Sequence, residues 1–334
     1  MAPLSRRDVG EAGREAGGEG SAVEARGIRF SYRQRRGAPS RPALAGLDFD
    51  VPAGSVFGFL GPNGGGKTTL FRILATLARP EAGEIRVFGA SLARQAREIR
   101  RRLGVVFQYP SLDLQLTVRE NLVHQGHLYG LSGRDLAARI GAGLERFGLT
   151  ERAEQRAKEL SGGLRRRAEI AKALLHEPRL LLLDEPSTGL DPGARRDLWT
   201  TLEDLRQAGV TVLLTTHFME EADRCDRLVL LDRGAIVAEG SPADLKREIG
   251  GDVVTLAARD PEALAGDLAV RYPELSPVVR DGVVRLERER GHELAARLAE
   301  AFPGRIDSVT VSRPTLEDVF LRRTGHRLYG GEEA

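Results

Sequence analysis

The sequence holds a single cysteine, Cys225, among 334 residues. A lone thiol forms no internal disulfide, which fits a reducing compartment such as the cytoplasm, and a small half-buried residue explains it better than a reactive thiol does. Long apolar runs are missing too. No stretch approaches the roughly 20 residues a membrane helix needs, and the first 24 residues lack the apolar core of a signal peptide. Work at a membrane would require another chain to span it. Neither sign of charge predominates: 50 Lys and Arg against 48 Asp and Glu give a net +2, so overall electrostatics imply no nucleic-acid partner. There is no internal repeat of the kind that builds a solenoid, and no long heptad run.

What is present is an ordinary globular composition, 41% apolar, and enough length for one large α/β domain plus a small second one. Residues 1–22 are dominated by Gly, Ala, Glu and Arg with little to bury and read as a disordered tail. From Val23 to Leu245, "VFGFL", "LGVVFQ", "RLLLLD", "VTVLLTTH" and "RLVLLD" recur as mostly continuous apolar runs between helical patterns. Such runs suit strands buried on both faces of a largely parallel sheet, with ligand loops at the strands' carboxyl ends. After "GSPADLKREIG" the composition shifts. "DVVTLAA", "GVVRLER" and "DSVTVSR" read as short strands, with helices "PEALAGDLAVRY" and "HELAARLAEAF" between them. A small α+β unit is therefore expected over 250–334, closing with "PTLEDVFLRRTG", which has proline at its start and glycine at its end.

"GFLGPNGGGKTTLFRIL" carries the spacing G-x-x-x-x-G-K-T from Gly61 to Thr68, after a strand and at the start of a helix. Glycines let backbone amides converge on phosphate oxygens, the helix N-terminus adds partial positive charge, Lys67 reaches the outer phosphates and the Thr68 hydroxyl suits magnesium. A mere strand-to-helix turn needs neither lysine nor threonine. In "RLLLLDEPSTGLDP" a leucine run ends in Asp184 and Glu185. Carboxylates at the end of a buried strand need a counter-charge; magnesium at Asp184 supplies one and leaves Glu185 to polarise water, the alternative for Glu185 being a cap on the next turn. His217 follows "VTVLLTT" and Gln108 follows "LGVVF", at the same edge of the sheet. Alone, either would read as structural.

A second glycine-rich turn stands in "LSGGLRRRAEIAKALL". Ser161 suits an N-cap, and Gly162 and Gly163 leave amides open at a helix start, an anion site without a lysine of its own. Leu164, Ala168, Ala171, Leu174 and Leu175 make the apolar stripe, so Arg165, Arg166, Glu169 and Lys172 read as a solvated face.

In this order, "GPNGGGKTT", "FQ", "LSGG", "LLLLDEP", "GLD" and "TTH" resemble an ABC-type ATPase domain over about Val23 to Leu245, a P-loop NTPase with a helical insertion at about 109–176. The resemblance implies ATP and Mg2+ as cofactors and a head-to-tail homodimer in which each LSGG turn closes over the partner's triphosphate. It makes Gly61, Pro62, Asn63, Gly64, Gly65 and Gly66 the phosphate cradle and Lys67, Thr68 and Thr69 the phosphate and magnesium residues. Asp184 becomes the metal residue, Glu185 the general base and His217 the contact to the terminal phosphate. Gln108 links the metal site to a membrane partner, and Asp191 of "GLD" sits at the dimer seam. Tyr32 in "FSYRQRRG" resembles the residue that stacks on adenine, although a core or surface tyrosine fits as well. Leu164 departs from the glutamine that many relatives carry after LSGG, removing one polar contact but not the backbone donors.

"YPSLDLQLTVRENLVHQGHLYGLSG" resembles the helical insertion that docks on membrane subunits. "QYPSLDLQLTVREN" and "RPTLEDVFLRRTG" are similar to ATPase subunits of ABC-2-type exporters, the daunorubicin-resistance group included. That implies export powered through a separate polytopic permease, with this chain peripheral on the cytoplasmic face of the cell membrane and the small domain an accessory module. Two other readings are open: a soluble ABC ATPase acting on ribosomes or nucleic acid, and a binding module that switches without turnover.

Overall fold

A computed structural model describes residues 20–32, 41–326 and 328. The expected tail lies outside them up to residue 19. Ser21 and Ala22, placed in that tail by their sequence, instead open the first strand, Ser21 pairing with Pro52 of the second.

The chain begins with β1 (Ser21–Tyr32), β2 (Arg41–Pro52) and β3 (Val56–Leu60), then α1 (Lys67–Leu74), β4 (Ala82–Val87), β5 (Ala90–Ser91), α2 (Ala96–Arg101) and β6 (Leu103–Val106). Next come three helices, α3 (Val118–Leu128), α4 (Gly133–Arg146) and α5 (Gly162–Leu174). They are followed by β7 (Leu180–Asp184), α6 (Pro192–Gln207), β8 (Thr211–Thr216), α7 (Met219–Ala222), β9 (Arg227–Asp232), β10 (Ala235–Gly240) and α8 (Pro242–Arg247). The last part comprises β11 (Asp252–Ala257), α9 (Pro261–Arg271), β12 (Val278–Arg280), β13 (Val283–Arg288), α10 (Gly291–Ala301), β14 (Ser308–Ser312) and α11 (Leu316–Thr324).

The five apolar runs become β3, β6, β7, β8 and β9. They form one sheet in the order β10-β9-β3-β8-β7-β6, parallel throughout except for the edge strand β10. Every residue of β3, β7 and β8 is buried, each leucine removed from water contributing roughly 1.5–3 kcal/mol. Parallel pairing has a functional consequence. With Leu60 opposite Thr216, Asp184 opposite Thr215 and Val106 opposite Leu183, the carboxyl ends of β3, β6, β7 and β8 stand level. Gly61, Gln108, Glu185 and His217 therefore leave the sheet along one edge.

A second, antiparallel sheet, β2-β1-β4-β5, had no counterpart among the sequence expectations. It packs Ile28, Leu47, Phe49 and Ile85 against Phe57, Phe59 and Phe71 of the parallel sheet and α1. The third sheet, β12-β13-β11-β14, is antiparallel and carries α9 and α10. Its closing helix α11 is tied to it by the Asp318–Arg285 ion pair and by Arg280 Nη1 donating to the Leu321 carbonyl at 3.2 Å, yet turns its apolar face to the first part of the chain. A Thr315–Asp318 capping box starts α11 and Gly325 ends it at φ +83. Its Leu316, Val319 and Phe320 join one core with Leu60, Leu228, Leu230 and Leu245. Among the described residues no helix is long and apolar enough to cross a membrane.

α5 overturns one expectation. Arg166 and Glu169, read from the periodicity as solvated, are buried at 8% and 4% exposure. They pair at 2.8 Å, because the helix is enclosed by the ends of β6 and β7 as well as by α3, α4 and α6.

Candidate active site

The level strand ends enclose a cavity of about 620 Å3. Tyr32, Asn63, Gly64, Gly66, Lys67, Thr68, Thr69, Gln108, Glu185 and His217 line it, joined by Pro42, Ala43 and Thr188, which the sequence did not single out. The glycine loop fits there for steric reasons. A Cβ on Gly61 would lie 2.3 Å from the Leu231 carbonyl oxygen, and one on Gly66 would lie 2.6 Å from that of Ala43. Gly66 also takes φ +105 as the N-cap of α1, a conformation that costs other residues 1–2 kcal/mol or so. No side chain caps α1, so its first amides remain open toward an anion. Gly65 sits behind the loop: its amide donates to the Pro62 carbonyl at 3.1 Å and its carbonyl accepts from the Gly234 amide at 3.0 Å.

Lys67 is 4% exposed. Its Nζ donates to the Gly61 and Pro62 carbonyls at 2.7 and 3.1 Å and lies 3.6 Å from Glu185 Oε1. Burial lowers its pKa, against the pull of the nearby carboxylates. A desolvated ammonium of this kind is stabilised by any anion that enters.

Glu185 is the hub. Gln108 Nε2 and Thr188 Oγ1 each donate to its Oε2 at 3.3 Å, and His217 Nδ1 lies 3.4 Å from the same oxygen. Its backbone is left-handed at φ +46. Thr215 Oγ1 accepts from the Glu185 amide at 2.9 Å and donates to Asp184 Oδ1 at 2.6 Å, bracing the strained residue. Asp184 itself is 1% exposed. Burial raises its pKa, opposed by the Thr215 hydrogen bond. Among the described residues no three His, Cys, Asp or Glu side chains gather to hold a metal by themselves.

The aromatic Tyr32 stands at the rim with its hydroxyl 3.0 Å from Thr69 Oγ1 and its ring edge-on to Phe30. The stretch 33–40 that follows it lies outside the described residues.

Relatives show what this cavity belongs to. The profile of the ABC transporter family matches residues 44–188. The Nod factor export ATP-binding protein I of Paraburkholderia xenovorans is 43% identical over 313 residues, covering 92% of this chain and 98% of that protein. This chain belongs to the ABC transporter ATP-binding protein family. As an ABC ATPase it binds and hydrolyses ATP. The daunorubicin resistance ATP-binding protein DrrA3 of Streptomyces coeruleorubidus is 41% identical, over 85% of this chain and 92% of its own. The profile of the ATP-binding protein DrrA1-3-like, C-terminal domain, matches residues 240–324, starting ahead of Gly250. Among solved ABC structures, cbiO1 of Clostridium perfringens, part of the transporter complex cbiONQ, superposes with a TM-score of 0.63 at 25% identity, covering 77% of this chain and 97% of that one. The cassette MJ0796, in a dimeric post-hydrolysis state bound to ADP and Pi, gives 0.60 at 27% identity over 66% and 98%.

Eight predicted residues of this ABC ATPase are not in the cavity lining: Gly61, Pro62, Gly65 and Asp184 back it, and Ser161, Gly162, Gly163 and Asp191 lie apart from it. Ser161 is the N-cap of α5, accepting from the Leu164 amide at 3.3 Å, and Asp191 caps α6, accepting from the Ala194 amide at 2.9 Å. Gly162 faces the "GLD" segment: a Cβ there would lie 3.9 Å from the Gly189 carbonyl oxygen. Gly163 must be small for packing, since its Cβ would come within 2.9 Å of the Ala194 Cβ. Sequence reasoning passed over Thr188 and Thr215 because isolated threonines carry no signal. Thr215 did stand in the quoted "TTH", and its position opposite Asp184 was the available clue.

Proposed function

We propose that two copies of this chain bind two ATP molecules between them and drive export through a separate polytopic permease, at the cytoplasmic face of a membrane. The convergence of Lys67, Gln108, His217 and Thr188 on the Glu185 carboxylate beside one cavity carries this reading. Relatives named for Nod factor export and daunorubicin resistance supply the direction. Nothing in those names favours the ribosome or nucleic-acid reading, which is dropped, and turnover by the family removes the module that only switches.

The amides of the Gly61–Gly66 turn and of α1, with Lys67 and Thr69, hold the β- and γ-phosphates. Lys67 leaves two neutral carbonyls and a carboxylate at 3.6 Å for the γ-phosphate, gaining a close charge-assisted hydrogen bond. Tyr32 borders the base. Magnesium fits the oxygens on offer: the Thr68 hydroxyl, the Gln108 amide and the Asp184 carboxylate are hard donors, few in number, leaving room for phosphate and water. When bound, the ion neutralises charge accumulating on the phosphates. Glu185 orients the attacking water and accepts its proton, while His217 holds the terminal phosphate. Ser161 and the amides of Gly162 and Gly163 reach the partner's triphosphate, with Asp191 at the seam. The unit from Gly250 on serves as an accessory module.

The test is a pull-down of the Glu185→Gln protein from detergent-solubilised membranes with MgATP. A stoichiometric polytopic membrane protein supports the proposal. Recovery of ribosomal or DNA-bound partners without a membrane chain removes the transport assignment while leaving the ATPase intact.

A further inference from the structure

Arg166 is a buried guanidinium to which the mechanism above gives no task. It bonds four acceptors. Nε donates to the Pro186 carbonyl at 2.8 Å, Nη1 to the Phe107 carbonyl and to Glu169 Oε2 at 2.9 and 2.8 Å, and Nη2 to the Asp184 carbonyl at 3.3 Å. Glu169 extends the brace by accepting from the Ser111 amide at 2.8 Å through Oε1, and Lys172 Nζ reaches the Ser111 carbonyl at 2.5 Å.

The segment bearing Gln108 is thus fixed to α5 at both ends, at Phe107 and at Ser111. The turn bearing Glu185 is fixed to the same helix on either side, at Asp184 and at Pro186. A guanidinium is planar and points its N–H bonds in set directions, so these three segments are held in one relation. Stability alone is a poor reason for a charge pair in this place, because a well-packed apolar pair commonly does as well. Five residues before Arg166 stands Ser161, at the start of the same helix.

We propose that Arg166 and Glu169 are positioning residues that couple the nucleotide site of one protomer to the LSGG turn it presents to its partner. The inference rests on the two-copy reading above. Any shift of Gln108 or of Asp184–Pro186 when ATP enters is passed through the brace to α5 and so to Ser161. Each LSGG turn then reports the state of its own chain's cavity to the other one.

The single variant Arg166→Gln strands Glu169 as a buried unpaired charge, so the decisive variant is the double Arg166→Gln, Glu169→Gln, which leaves none. It is compared with the parent for thermal midpoint, MgATP affinity and the ATP dependence of hydrolysis. ATP-driven dimerisation is followed for both in the Glu185→Gln background. The expected result is affinity within about twofold, a kcat reduced at least about tenfold, a Hill coefficient falling to 1 and a weakened dimer. Arg166→Lys keeps the charge but has a single nitrogen for three segments, and is expected not to restore the Hill coefficient. A folded double variant with the parent's rate and cooperativity overturns the proposal. So does a joint fall of midpoint, affinity and rate, which marks a scaffold role. Should the unmodified chain itself neither dimerise with ATP nor hydrolyse cooperatively, the two-copy reading fails before any substitution is made, and the coupling falls with it.

Discussion

In the turn from Gly61 to Gly66 the chain's own backbone demands the glycines: the Leu231 carbonyl presses on Gly61 and that of Ala43 on Gly66. A lysine of the same chain stands ready beside them. In the turn from Ser161 to Gly163 a Cβ on Gly162 would meet nothing nearer than the Gly189 carbonyl oxygen at 3.9 Å, Gly163 is small to admit Ala194, and the turn carries no lysine of its own. On the two-copy reading proposed above, the first turn is a finished site and the second is half of one. The contrast teaches that a glycine pattern states where backbone is bare, while the surroundings decide who is meant to touch it.

The largest effect should come from the finished site. Glu185→Gln is expected to lower ATP hydrolysis by about 10²–10⁴-fold, the usual worth of a general base, with ATP affinity retained; phosphate release and equilibrium binding measure the two. A variant that turns over at the parent rate would remove Glu185 as the base. Next, Gly61→Ala should abolish ATP binding and lower stability by about 1–3 kcal/mol through the clash with Leu231. Gly162→Ala should fold and bind ATP as a monomer, yet hydrolyse at least tenfold more slowly. If both substitutions reduce monomer binding alike, the contrast is broken.

Gly163→Ala tests whether α6 sets that glycine. It should cost about 1–2 kcal/mol in denaturant unfolding, and the added change Ala194→Gly should recover most of that. The smallest expected effect lies at the far end of α5. His176 stacks on Tyr129 and its Nε2 meets the Leu103 carbonyl at 3.1 Å, and burial pushes its pKa down to about 4. The folded imidazole stays neutral while the unfolded one, titrating near 6.5, takes a proton. Its contribution is whole above pH 6.5 and declines as pH falls toward 4. His176→Phe should flatten that part of the pH profile of thermal stability between pH 7 and 5; an unchanged slope would show that other groups produce it.

The five parallel strands and the P-loop were legible because both are local: a run of buried apolar residues and a fixed spacing. The sheet of β1, β2, β4 and β5 was not. Leu47 to Val51 of β2 do alternate apolar and acidic, but β1 shifts register repeatedly against β2, so the pattern fades along its pairing partner and the sheet did not stand out. Arg166 was misread for a related reason. Helical periodicity sees neighbours along α5, whereas the backbone acceptors that justify a buried guanidinium, Phe107, Asp184 and Pro186, lie at the ends of β6 and β7, between 18 and 59 positions away. Most of the cavity lining came from motif order; Thr215 emerged only from its strand pairing with Asp184, and Thr188 only from its side-chain bond to Glu185.

The return of α11 onto the first domain bears on how this protein can be cut. Leu316, Val319 and Phe320 share a core with Leu60, the residue immediately before the phosphate loop. A protease that nicks the chain at Gly250–Gly251 is therefore expected to leave two fragments that copurify. Gene truncation at the same point would strip the cover from Leu228 and Leu230 and yield a sticky remnant in place of a minimal ATPase.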